Sequence, residues 1–134
     1  MSVQTDWTAP TTREDGSNLS ANEIAGYKLF RVRGAGVSSV PAPADCVAPM
    51  CWTAPANTTA DTQADVTLSA SRAKVVADGF IDLALGIAAQ DTNGKWSAWS
   101  EVNYLRVDFP QEVISALTPA PKKMQKLNVT ISFN

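Results

Sequence analysis

The stretch GFIDLALGIAAQDTNG, Gly79 to Gly94, decides the fold class of this chain. Ile81, Leu83, Leu85, Ile87 and Ala89 alternate with Asp82, Ala84, Gly86, Ala88 and Gln90. A period of two over so many positions predicts a long strand with one apolar face. Asn93-Gly94 then predicts a hairpin turn, because that dipeptide tolerates the positive φ angles such turns require. The return strand is expected in SEVNYLRVDF, Ser100 to Phe109.

Working outward, the same period appears elsewhere and helical periodicity is weak. VQTDW places Val3, Thr5 and Trp7 on one side of a half-buried strand. EIAGYKLFRV, Glu23 to Val32, predicts a long strand with apolar groups on both faces. ADVTLSA resumes alternation at Val66 and Leu68, and EVISAL offers at most one helical turn. Residues 34–64, interrupted by Pro41, Pro43, Pro49 and Pro55, read as a long loop with one short edge strand near 37–40. At the C-terminus Leu127, Val129, Ile131 and Phe133 alternate against Asn128, Thr130 and Ser132, the pattern of a further strand. The expectation is an all-β sandwich over residues 1–107, followed at 108–134 by a connector and a strand-forming arm.

Composition narrows the function classes. The chain has 134 residues, 45% hydrophobic and 18% charged, with a net charge of −2. Without a basic face it is not expected to bind nucleic acid, and without a long apolar run it is not expected to insert in a membrane. MSVQTDWTAP carries neither the basic nor the apolar region of a signal peptide. The chain contains no histidine, which removes the usual Ser-His-Asp and Cys-His nucleophile systems. Cys46 and Cys51 are the only cysteines, and suit either a small disulfide loop or two free thiols. Asp91, Asn93 and Glu101 fail the spacing of a calcium loop, and Asp6, Glu14, Asp15 and Glu23 are scattered, solvated acids. Asn57 and Asn128 begin glycosylation triplets of a kind frequent by chance. No catalytic residue, metal ligand or cofactor site is expected. Trp52, in an irregular apolar cluster, is either a lid on the core or, with Trp96 and Trp99, a contact residue.

The order of these features resembles a fibronectin type III domain. DWTAPTTREDGSNLSANEIAGYKLFRV, Asp6 to Val32, is similar to that family's B strand with its core tryptophan, its B–C loop and its C strand. LALGIAAQDTNG, Leu83 to Gly94, looks like its F strand and F–G turn. Leu83 stands where the family places the tyrosine of its corner motif, so that tether is missing. The resemblance also implies an N-terminal A strand, which is absent; its pattern is found instead in KLNVTISFN, Lys126 to Asn134. That arm is therefore expected to be donated to or docked on a neighbour, to fold back on its own sheet, or to stay without order.

WSAWS, Trp96 to Ser100, resembles the WSxWS box of class I cytokine receptors, which use the same type of domain. The arginines that interleave with it in that family are missing from the strand before the turn. Lys28, Arg31 or Arg33 on the neighbouring strand is the substitute to look for. The pair is accordingly expected to fasten the last hairpin. The expected function is that of a non-enzymatic virion structural protein, a bacteriophage capsid decoration or tail-associated subunit. Its partners would be further copies of itself or other virion proteins. The alternatives are a cell-surface adhesion or receptor-type module, which would be extracellular, and a carbohydrate-binding accessory domain.

Overall fold

The computed structural model describes residues 3–33, 39–63 and 72–132. The elements run β1 (Val3–Asp6), β2 (Ile24–Arg33), β3 (Cys51–Pro55), β4 (Ala60–Gln63), α1 (Arg72–Asp78), β5 (Phe80–Asp91), β6 (Asn103–Asp108) and α2 (Gln111–Leu117). Four strands form one antiparallel sheet in the order β3-β2-β5-β6, and β1 and β4 pair in a second. The chain is thus all-β in its framework, in two sheets.

The long strand expected at 79–91 is β5, and it pairs over nine residues with β2. Leu83, Leu85 and Ile81 face the small sheet and form a cluster with Val3. β2 carries a bulge between Ile24 and Gly26, which rotates Ile24 onto the face of Tyr27 and Leu29. Such a bulge shifts the side-chain alternation by one position, which explains why an even-numbered residue joins an odd-numbered set. Among the described residues, Trp7 Nε1 and Tyr27 Oη are buried without a hydrogen-bond partner, their rings 5.2 Å apart.

The other face of β5 is not solvent. Ala84 and Ala88 are 0% and 2% exposed, and Gly86 is buried beneath Phe30. A loop layer closed by a Cys46–Cys51 disulfide covers this face, with Phe30, Val32, Val40, Met50, Trp99 and Val102 packed around it. The molecule therefore has three layers: the small sheet, the large sheet and the disulfide loop.

Several expectations are corrected. Residues 34–64 are not one loop, since β3 and β4 lie within them. β3 pairs with β2 from Gly26↔Pro55 to Phe30↔Cys51, and β4 pairs with β1 from Val3↔Gln63 to Asp6↔Ala60. The edge strand expected near 37–40 lies largely outside the described residues, as does the alternation at Val66 and Leu68. Ser39 and Val40 are not in a strand. Helix α1 is additional, and EVISAL falls within α2. The turn after β5 is a three-residue loop, Thr92–Gly94, in which Gly94 takes φ +85° and its N–H donates to Asp91 O at 3.0 Å. Only glycine adopts that φ without strain.

The arm forms no strand within its own chain among the described residues. Residues 118–132 hold no regular secondary structure, and Leu127, Val129 and Ile131 are 86%, 72% and 72% exposed. Phe133 lies outside the described residues. The strand pattern is present in the sequence, but within one chain it pairs with nothing among the described residues.

Candidate functional site

The residues singled out above gather at three places: the WSAWS segment, the sheet-to-sheet contact around Trp52, and the unpaired arm.

After the turn, the chain runs back along β5 before β6 begins, and two serines bind it there. Ser97 N–H donates to Ala89 O at 2.8 Å while Ala89 N–H donates to Ser97 Oγ at 3.0 Å. Ser100 repeats the pattern with Ile87, at 2.8 and 3.0 Å. Each hydroxyl stands in for a ladder carbonyl, so the edge of β5 away from β2 is satisfied beyond the end of β6. Just before each tie, a tryptophan reaches over the loop layer. The Trp99 ring meets Phe30 edge-on, centroids 4.9 Å apart, and its Nε1 donates to Pro41 O at 2.8 Å. Lys28 Nζ lies 4.8 Å from the centre of the Trp96 ring and donates to Pro43 O and Cys46 O. Lys28 is thus the cation that meets the box, supplied by β2. Arg31 points to the opposite face.

Trp52 joins the two sheets. It packs against both inner clusters, and its Nε1 donates to Asp61 Oδ2 on β4 at 2.8 Å. Arg31 stacks on the same ring at 5.5 Å and donates to Gln63 Oε1 at 2.6 Å. Burial lowers the Arg31 pKa. All three tryptophans offered as contact residues are consequently engaged within the fold.

Beside Trp96 an open cleft of about 350 Å³ is lined by Arg13, Glu14, Leu19, Gln90, Lys95 and Ser97, among others. Its charges are organised to hold the turn. Arg13 bridges Glu23 and Asp91, each at 2.8 Å, and Asp91 Oδ1 accepts the N–H groups of Asn93 and Lys95 at 2.9 Å. The Arg13 guanidinium and these amides hold the Asp91 carboxyl below its ordinary range. The Ser20 N–H, then Arg13, does the same for Glu23. Both groups have folded-state pKa values below their unfolded ones. Their stabilisation is therefore complete above the unfolded carboxylate value of about 4 and is lost as pH falls through the depressed values. The urea midpoint of Arg13→Gln should accordingly fall less steeply than that of the parent below about pH 4. An identical acid slope for the two proteins would show that this network does not couple folding to protonation.

Among the described residues, no group of three or more His, Cys, Asp or Glu side chains is placed to hold a metal ion, and no helix is long and apolar enough to cross a membrane. Comparison with family models, curated proteins and solved structures finds no match for the chain.

Proposed function

We propose that this protein is a non-enzymatic β-sandwich module of fibronectin type III character that works by assembly with other protein subunits. The observation that carries the reading is the C-terminal segment, whose exposed Leu127, Val129 and Ile131 recur at strand spacing. Large apolar side chains in such a row are a pairing element waiting for a sheet edge. The antiparallel sheet β3-β2-β5-β6 with a smaller antiparallel β1-β4 sheet packed on it supports the family reading.

A virion is the setting that best unites the features. Capsid and tail proteins assemble inside the host and function outside it after lysis. A chain with a disulfide and a subunit-linking arm suits that history. The partner is another copy or a further virion protein, in a decoration or tail-associated role. A second reading, a receptor-type or adhesion module at a cell surface, draws support from the paired serine ties and the Lys28–Trp96 contact.

Deleting Lys122–Asn134 tests the assembly reading. The shortened chain should keep the near-ultraviolet circular dichroism of its packed tryptophans and be monomeric, whereas the intact chain forms larger species. If deletion instead collapses the tertiary signal, the arm completes its own sandwich and the reading is wrong.

A further inference from the structure

Taking the assembly reading as its basis, we infer that the arm of one copy docks as a third strand on the free edge of β1 in a second copy, over Leu105. The acceptor follows from how the two sheets overlap. β4 lies above β2 and β3, because Asp61 and Gln63 meet Trp52 and Arg31. β1 lies above β5, because Val3 packs on Ile81, Leu83 and Leu85. Among the described residues the small sheet stops there, one strand short of β6.

The consequence is visible on β6. Leu105 is paired with Leu83 and Val107 with Ile81, so both side chains share the inner face. Leu83 is 1% exposed, yet its neighbour Leu105 is 45% exposed. An inward-facing leucine left in solvent next to a fully buried one marks the strip that a strand beside β1 would cover. The free edges of β3 and β6 lack this property. A strand added at either would extend the large sheet with nothing opposite it.

The occupant fits in chemistry as well as in shape. The arm from Pro119 onward carries Lys122, Lys123 and Lys126 and none of the chain's 13 acidic residues, so the remainder is acidic and attracts it. In an antiparallel register that sets Lys126 opposite Asp6, Asn128 falls opposite Gln4, and both pairs are on the solvent face. Leu127 and Val129 then lie opposite Thr5 and Val3, on the inner face with Leu105. Opposite charges directly across a strand pair stabilise it, and the alternation admits no slip by one residue without exposing the leucine and valine. The stretch from Thr118 to Gln125 spans about 28 Å when extended, enough to reach a neighbour. Because donor and acceptor are different surfaces, the contact closes a dimer when two copies exchange arms and builds a ring or a filament when each arm passes to a further copy.

Cysteine cross-linking with the native disulfide intact tests this placement. A chain bearing Gln4→Cys is mixed with a chain bearing Asn128→Cys and treated with a short bis-maleimide. A covalent dimer is expected, and none when the acceptor cysteine is moved to Asn103 on β6 or Thr53 on β3. Dimers through Asn103 or Thr53 in place of Gln4 would overturn the β1 slot while leaving arm-mediated assembly standing. An intact chain that stays monomeric, and that cross-links internally when both substitutions are in one molecule, would overturn the slot in trans and the assembly reading together.

Discussion

Phe30→Ala should lower the unfolding free energy by about 3–5 kcal/mol, the range for emptying a buried aromatic site. Phe30 is 1% exposed and is among the largest fully buried side chains. Its ring lies on Gly86 so closely that a Cβ built there would come within 2.3 Å of Cε1. It also receives the edge of Trp99 and the disulfide loop. Removing it therefore opens a cavity between the large sheet and the loop layer, where a rigid disulfide-closed loop relaxes poorly. Urea denaturation of Phe30→Ala, Trp99→Ala and the double variant reads both the cost and the coupling. The ring pair adds about 0.5–1.5 kcal/mol beyond area burial, so the double variant should lose less than the two single ones combined. A loss under about 1 kcal/mol for Phe30→Ala would mean that the loop layer does not pack on β2 and β5 as described.

Removing the Cys46–Cys51 bridge is the second large change. The two cysteines are five apart in sequence, and closing so short a loop restricts the unfolded chain by about 2 kcal/mol. Both are buried, at 2% and 3% exposed, so the Cys46→Ala/Cys51→Ala variant also loses packing against Phe30. The loop further presents Cys46 O and Pro43 O to Lys28 Nζ, whose place over Trp96 depends on them. The double variant should therefore unfold at a lower urea concentration and show altered tryptophan fluorescence. A urea midpoint unchanged by thiol reductant would contradict the role assigned to the bridge.

The parts of this fold that sequence makes legible are those where burial is one-sided or strongly apolar. β5 declared itself through five alternating apolar residues, and β1 through Val3, Thr5 and Trp7. β4 was hidden because its inward residues are polar. Asp61 and Gln63 point at Trp52 and Arg31, so the strand has no apolar alternation to detect. β3 was hidden by Pro49 just before it and by Pro55 as the last of its five residues. The second face of β5 carried a usable signal: Ala84, Gly86 and Ala88 are too small and apolar for a solvated surface, and a covering layer is what they require. A seven-residue helix such as α1 is too short to establish a period.

At the candidate site, WSAWS marks a segment that fastens the last hairpin, and the neighbouring strand offers Lys28, Arg31 or Arg33 as its cation, whereas the serine ties to β5 have no signal in the linear pattern. Lys28 comes from β2, adjacent in the sheet and remote in sequence, and only strand register brings it to Trp96. Trp52 could be read either as a lid or as a contact; its hydrogen bond to Asp61 is a pairing that a linear pattern does not contain. The arm presents the opposite case. Its alternation is plain in the sequence, whereas its partner edge belongs to tertiary structure.

The molar mass of the intact chain, followed by sedimentation equilibrium over a wide concentration range and compared with the chain lacking Lys122–Asn134, tests that claim most directly. Assembly through the arm predicts masses rising in multiples of 14.2 kDa for the intact protein and a constant monomer for the shortened one. An intact chain that remains at 14.2 kDa throughout, or a shortened chain that associates equally well, would contradict it.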